Sequence, residues 1–265
     1  MFKAGVNTIK SQKVSILSSG VRLGGTLFFP DTPKRIPGVC ICHGIPRDNK
    51  PVEEKRYPAL AEKFCEKGYA ALIFNFQGTS GSEGEFSFSG WSRNVSDAIS
   101  YLAYSPRIDP ERLGLMCFSG GAFVSWSVVA NDSRIKAFAS CSSPSDLTKM
   151  RVIEEGIKYA KKSGLLRINN VEKARKEVRA DLQKLNPLNW VGKISPRPVL
   201  IIHGAQDDVI PVQSAWELYE KAKEPKEILI LENADHVIRN NEEAMKAATD
   251  WIVKNTNQDQ KFSVN

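Results

Sequence analysis

The sequence predicts an α/β fold, with a mostly parallel eight-stranded sheet flanked by helices. Short apolar segments of strand length alternate along the chain with segments of helical periodicity, the pattern of consecutive strand–helix–strand units. Several apolar segments run without polar interruption, as expected of strands that are covered on both faces. A chain of 265 residues with 42% hydrophobic content is also long enough to bury such a core.

The individual elements follow from local patterns. The first two strands are expected at residues 14–18 and 23–29, where they flank a Ser-Gly turn and form an antiparallel hairpin. Six further strands are expected at residues 38–42, 69–76, 113–117, 135–140, 198–202 and 227–231. Apolar residues at helical spacing predict helices at residues 53–67, 91–104, 122–129, 213–222 and 242–254, and residues 106–110 are expected to form a turn.

Residues 145–191 differ from the rest of the chain because their charge density is higher and strand-like segments are missing. Two or three amphipathic helices are expected there, around residues 147–160 and 171–185. We therefore predict a core formed by residues 1–144 and 192–265, interrupted by a helical cap insertion at residues 145–191.

Composition excludes several kinds of partner. The net charge is +7, but no basic segment is interleaved with stacking aromatics, so we expect a solvated basic face and no nucleic-acid binding. No window reaches the roughly 18 apolar residues of a membrane span. The polar first 12 residues lack a signal-peptide pattern, and most of the 5 cysteines lie in apolar segments, which predicts reduced thiols in a cytoplasmic protein. A second ligand cluster near Cys40, Cys42 and His43 is missing, so no metal is expected.

The most informative motif is the turn after the predicted strand at residues 113–117. It reads Cys117-Phe118-Ser119-Gly120-Gly121 and leads directly into helix-forming sequence. Such a strand-to-helix turn is the nucleophile elbow, G-x-S-x-G, in which a strained backbone exposes a serine hydroxyl. Cysteine stands at the first glycine position. Ser119 is therefore the candidate nucleophile, although a serine here could instead cap the following helix.

A serine nucleophile needs a base and an acid. The chain contains 3 histidines, and His43 and His203 each end a predicted strand as His-Gly, where a structural role bonded to backbone is expected. His236, in the loop after the last strand, is therefore the expected base. Asp207 and Asp208 both lie in the loop after the strand at residues 198–202, and the spacing leaves open which of them is the acid.

These motifs, in this order, resemble the α/β-hydrolase superfamily over most of the chain. The segment from His203 to Pro211 resembles the family's acid loop, and the match assigns the acid to Asp207. The segment His43-Gly44-Ile45-Pro46 resembles its oxyanion loop, which implies a hole formed by the amides of Ile45 and Gly120. Asn75 and Gln77 depart from the aspartate and arginine usual in a segment after the fourth strand, which puts a structural hydrogen-bond network in doubt.

The resemblance implies a serine hydrolase without metal or organic cofactor. The segment at residues 78–84 and the medium-sized insertion resemble carboxylesterases and cinnamoyl- or feruloyl-type esterases, so we expect cleavage of carboxylic esters with small to medium acyl chains. The same core resembles serine aminopeptidases and acylaminoacyl peptidases, so a short peptide or amide substrate is the alternative. The third possibility is a member of the fold that binds a ligand or partner without catalysis. The oligomeric state stays open, with a homodimer compatible with the sequence.

Overall fold

The computed structural model describes residues 8–148 and 153–257. The described strands are β1 (Ile9–Ser18), β2 (Val21–Pro30), β3 (Ile36–Cys42), β4 (Ala70–Phe74), β5 (Ile108–Phe118), β6 (Ile135–Cys141), β7 (Val199–Gly204) and β8 (Lys226–Leu231). The described helices are α1 (Tyr57–Glu66), α2 (Phe88–Ala103), α3 (Ser119–Asn131), α4 (Ile153–Lys162), α5 (Val171–Lys184), α6 (Gln213–Lys221) and α7 (Glu242–Thr256).

All eight strands form one sheet in the order β1-β2-β4-β3-β5-β6-β7-β8. Strand β2 pairs antiparallel with both β1 and β4, and the remaining neighbours pair in parallel. The prediction of a mostly parallel eight-stranded sheet that begins with a hairpin is therefore confirmed. The parallel strands β3 to β8 end at one edge of the sheet, which places the loops that follow them side by side.

Helices cover both faces of the sheet. One buried cluster joins the sheet to α2, α3 and α6, and includes Trp91, Phe123 and Leu218. The other joins it to α1 and α7, and includes Phe64 and Ile252. Strands β3, β4 and β7 each have a neighbouring strand on both sides and are buried throughout, which explains their uninterrupted apolar sequence.

Several predicted boundaries were wrong. Strand β1 begins at Ile9 instead of residue 14, because the polar residues before 14 also pair with β2. The helix expected at residues 53–67 is a short 3-10 turn, Val52–Glu54, followed by α1, because Pro58 fits the first turn of a helix and lets α1 start at Tyr57. The expected turn at residues 106–110 includes the start of β5, since Ile108 pairs with Ile36. Helix α2 begins at Phe88, before the predicted 91, because the Ser87 side chain accepts from the Gly90 amide as an N-cap.

The predicted insertion contains α4 and α5; the predicted helix at residues 147–160 partly lies outside the described residues. Its buried apolar side chains, such as Ile157, Leu166 and Val178, join the cluster beside α2. Asp181 in α5 accepts hydrogen bonds from the amide and hydroxyl of Ser89, at the start of α2. The insertion therefore packs on the α2 side, and a capping role stays a prediction.

Candidate active site

The predicted elbow is present between β5 and α3. The strand ends at Phe118, and the helix begins at Ser119 without an intervening loop. Ser119 has a φ of 49°, in the left-handed region that non-glycine residues rarely adopt. This conformation costs about 1 to 3 kcal/mol, which the surrounding packing must offset. It turns the chain from strand to helix within one residue and places the Ser119 side chain at the carboxyl edge of the sheet.

The loop after β3 presses directly against this elbow. A Cβ atom on Gly121 would lie 2.1 Å from the carbonyl oxygen of His43, and one on Gly44 would lie 2.7 Å from the Cβ of Ser119. Both distances are well inside van der Waals contact with groups that have little freedom to move. Glycine at these two positions therefore lets two backbone segments meet beside the serine.

This contact brings together the two amides predicted for an oxyanion hole. Gly120 is the second residue of α3, where a backbone N–H has no acceptor within the helix. A Cβ built on Gly120 would lie 3.5 Å from the Ile45 nitrogen. Among the described residues, the Ile45 amide has no hydrogen-bond acceptor. Two uncommitted donors therefore lie close together next to Ser119.

The three residues predicted for a catalytic triad form a continuous hydrogen-bond chain. His236 Nε2 lies 3.0 Å from Ser119 Oγ, and His236 Nδ1 lies 2.7 Å from Asp207 Oδ2. Asp207 and His236 come from the loops after β7 and β8, which lie far from Ser119 in sequence. Asp208 is exposed and takes no part in these hydrogen bonds, and Asp235 accepts instead from the Val237 amide.

The Asp207 carboxylate is held rigidly as an anion. Its side chain is fully buried, and Oδ1 accepts from the amides of Val209 at 2.9 Å and Ile210 at 2.7 Å. Burial alone would raise the pKa of Asp207, but hydrogen bonds from His203, His236 and the Ile210 amide outweigh it and hold the pKa well below its usual range. The carboxylate therefore stays charged and accepts the Nδ1 proton of His236.

His203 supports the acid from behind. Its Nε2 lies 2.9 Å from the Ile210 carbonyl oxygen and 3.1 Å from Asp207 Oδ2, with the ring fully buried. A single Nε2 proton can be shared between these two oxygens. The backbone contact matches the structural role predicted for His203, whereas its contact with Asp207 was missed. The four-residue spacing between them, across the end of β7, was the signal available in the sequence.

His43 holds the oxyanion loop. Its Nδ1 donates to the Gly44 carbonyl at 2.6 Å, and its Nε2 accepts from the Phe76 amide at 3.1 Å. Burial, aided by the positive charges of Lys55 and Arg239, lowers the pKa of His43 to about 4. The ring is therefore neutral near pH 7, as both hydrogen bonds require.

The hydrogen-bond network that the substitutions at Asn75 and Gln77 put in doubt is present. Asn75 Oδ1 accepts from the Val52 amide at 2.9 Å, and Asn75 Nδ2 donates to Glu53 at 3.0 Å. Gln77 Nε2 donates to the Glu85 carbonyl at 2.7 Å. The neutral amides of Asn75 and Gln77 thus stand where the resembling family usually has aspartate and arginine, and they still fix the loop after β4.

A small cavity of about 40 Å³ opens beside Ser119. It is lined by His43, Gly44, Ile45, Pro46, Arg47, Lys55, Tyr57, Phe118, Ser119, His236, Ile238 and Arg239. Sequence reasoning missed Arg47, Lys55, Tyr57 and Arg239. Their positions in loops and in the first turn of α1 carry no pattern that distinguishes them from surface residues.

Two further observations concern metal binding and membrane insertion. Among residues 8–148 and 153–257, no group of three or more His, Cys, Asp and Glu side chains is arranged to hold a metal ion. None of the helices in these ranges is long and apolar enough to cross a bilayer.

Comparison with known proteins places this chain in a family. Residues 57–259, more than half of the chain, match the model of the prolyl oligopeptidase family. The chain belongs to this family. As a prolyl oligopeptidase family member it is a hydrolase, and the resemblance to α/β-hydrolases stated from sequence is confirmed. The family match does not by itself distinguish ester from peptide substrates.

One curated relative and two solved structures are similar to this chain. A Bacillus subtilis protein named uncharacterized peptidase YtmA is 25% identical over 253 residues, which cover 92% of this chain and 93% of that protein. The ferulic acid complex of Est1E from Butyrivibrio proteoclasticus has the same fold, with a TM-score of 0.69, 20% identity and coverage of 91% and 96%. Pyrococcus horikoshii acylaminoacyl peptidase has a TM-score of 0.72 and 18% identity over 97% of this chain and 43% of that one.

Proposed function

We propose that the protein is a serine hydrolase that cleaves carboxylic esters with small to medium acyl chains through an acyl-enzyme on Ser119. The observation that carries the proposal is the chain of hydrogen bonds from Asp207 through His236 to Ser119, with distances of 2.7 and 3.0 Å. It ends at a serine whose backbone is held at φ 49°. Both distances lie in the range in which a base can take the proton of a nucleophile.

In the acylation step, His236 Nε2 accepts the hydroxyl proton while Ser119 Oγ forms a bond to the substrate carbonyl carbon. The negative charge moves to the carbonyl oxygen, where the amides of Ile45 and Gly120 donate to it. One such donor contributes roughly 3 to 4 kcal/mol in serine hydrolases. Asp207 stabilises the imidazolium. Collapse of the intermediate breaks the bond to the alcohol oxygen, which receives the proton from His236.

Deacylation repeats these steps with water as the nucleophile. His236 removes a proton from water as the water oxygen attacks the acyl carbon. The bond to Ser119 Oγ then breaks, and His236 returns the proton to that oxygen. This sequence restores the enzyme and releases the carboxylic acid, so proton transfer needs no group beyond the triad.

The charge around Ser119 favours esters over peptides with a free amino terminus. The cavity beside it is lined by Arg47, Lys55 and Arg239, and by no described Asp or Glu. A peptide's α-ammonium group would need an acid to pair with it, whereas a neutral or anionic ester would not. Amide hydrolysis remains the second candidate because the chain belongs to the prolyl oligopeptidase family, and acyl-blocked peptides fit this charge better than free ones.

The test is a substrate profile of the wild type and Ser119→Ala. We expect turnover of p-nitrophenyl acetate and butyrate in preference to aminoacyl arylamides, with loss of turnover in Ser119→Ala. Ser92→Ala, a serine of α2 outside the site, is the matched control and should retain activity. Ester turnover that survives in Ser119→Ala would refute the nucleophile. Efficient arylamide cleavage without ester cleavage would instead favour the peptidase alternative, and absence of any turnover would favour a binding protein.

A further inference from the structure

The cavity beside Ser119 has an unusual charge distribution. Three of its lining side chains are cationic, Arg47, Lys55 and Arg239, and the described residues that line it include no carboxylate. The acid of the triad does not offset this charge at the cavity, because the Asp207 side chain is fully buried behind His236. A group bound next to Ser119 therefore meets a positive environment.

Two of the three cations are available to a ligand. Lys55 pairs with Asp48 at 3.1 Å. Arg47 is exposed, and neither Arg47 nor Arg239 forms an ion pair with a carboxylate among the described residues. The Arg239 guanidinium lies over the ring of Tyr57, with its central carbon 5.6 Å from the ring centroid. This contact holds the guanidinium at the cavity without using its hydrogen-bond donors.

The neighbouring groups already respond to these charges. Lys55 and Arg239 both help to lower the pKa of the buried His43, behind the larger effect of burial. The field of the cations thus extends to the oxyanion loop itself. The net charge of +7 acts in the same direction, since it attracts anions from solution.

We propose that Arg47 and Arg239 bind a carboxylate of the substrate, so that the preferred substrates are esters that carry a negative charge near the scissile bond. The proposal rests on the proposed function, since it names the substrate class of that site. A guanidinium offers paired N–H donors that match the two oxygens of a carboxylate. The cavity, at about 40 Å³, has room for a group as compact as a carboxylate.

The test compares matched anionic and neutral esters. For a charge on the acyl side, the probes are methylumbelliferyl monoadipate and methylumbelliferyl hexanoate. For a charge on the alcohol side, they are 4-acetoxybenzoate and 4-acetoxybenzamide. We expect kcat/KM to be roughly tenfold higher for the anionic member of one pair, the effect of about one charged hydrogen bond. The pair that shows the preference identifies which part of the substrate carries the charge.

The variants are Arg47→Gln, Arg239→Gln and their combination. The combination should remove the roughly tenfold preference, through KM rather than kcat, because neither guanidinium is then present to bind the carboxylate. Arg93→Gln removes an exposed positive charge on α2, remote from the cavity lining, and should retain the preference. Equal kcat/KM for both members of both pairs in the wild type would overturn the proposal, as would a preference that persists in the combined variant.

Salt dependence is a further test of the anionic preference. Labelling of Ser119 and calorimetry then distinguish failure of this proposal from failure of the proposed function. In the wild type, raising the salt concentration from about 0.02 to 0.5 M should reduce the anionic preference, because Arg47 is exposed and Arg239 is only half-buried. If neither ester turnover nor fluorophosphonate labelling of Ser119 is found, the hydrolase proposal fails. Calorimetric titration with adipate or 4-hydroxybenzoate then tests the cavity directly: weaker binding to the combined variant supports it, and absence of binding to the wild type overturns it.

Discussion

Replacement of Asp207 by Asn tests the geometry of the triad most specifically. An asparagine has the same shape and can still accept from the amides of Val209 and Ile210 through its oxygen. It then presents an NH₂ group to His236 Nδ1, where the carboxylate accepted a proton at 2.7 Å. The imidazole proton is driven to Nε2, the atom that faces Ser119 Oγ at 3.0 Å and must accept its proton. The histidine is therefore held in the wrong tautomer.

The size of the effect follows from this loss. A carboxylate-to-amide change at this position costs roughly 10⁴-fold in kcat in serine hydrolases, which corresponds to about 5.5 kcal/mol of transition-state stabilisation. Substrate contacts do not change, so KM should move much less than kcat. The assay is steady-state hydrolysis of p-nitrophenyl butyrate from pH 6 to 9.

Asp208→Asn is the matched control, since Asp208 is adjacent in sequence and exposed. It should retain kcat within about twofold, as surface substitutions outside a site do. A kcat for Asp207→Asn within tenfold of the wild type would contradict the reasoning, and a larger loss in Asp208→Asn would move the acid by one residue.

Two further predictions concern the oxyanion loop. His43 is buried with a pKa of about 4, against 6.5 for an ordinary histidine, so the unfolded chain binds this proton first as the pH falls. The contribution of neutral His43 to the free energy of unfolding is therefore complete above pH 6.5, and it falls by about 3 kcal/mol towards pH 4. Urea denaturation should show this loss in the wild type. An equal loss in His43→Gln would contradict the prediction. Gly121→Ala should lower kcat and destabilise the fold by roughly 1 to 3 kcal/mol, because the new Cβ would meet the His43 carbonyl oxygen at 2.1 Å. Gly156→Ala, with open space around it in α4, is the control and should stabilise slightly by its helix propensity, so equal kcat and thermal stability in both variants would refute the contact.

The triad could be predicted from sequence because each residue follows a predicted strand of the sheet. Periodicity locates the strands, and the carboxyl ends of parallel strands share one edge of the sheet. With 3 histidines in the chain, elimination was enough to select His236. The choice between Asp207 and Asp208 required either the family resemblance or the structure, because both residues occupy the same loop and local pattern cannot say which side chain turns inwards.

The residues around the triad could not be predicted in the same way. Arg239 lies in a short 3-10 turn, Ile238–Asn240, and its guanidinium packs on Tyr57 of α1. No spacing in the sequence predicts that contact. The strand order places β4 between β2 and β3, which depends on how crossover helices pack and not on any single segment. The contact between His203 and Asp207 depends on the bend of the chain after β7. Each of these features arises from tertiary packing.

The central claim is that Ser119 attacks the substrate, and covalent labelling tests it most directly. The wild type is treated with a fluorophosphonate at pH 8, digested, and mapped by mass spectrometry. We expect one adduct, on the peptide that contains Ser119, with none in Ser119→Ala and strongly reduced labelling in His236→Ala. Modification of a different residue, or an unmodified Ser119 in protein that hydrolyses esters, would contradict it.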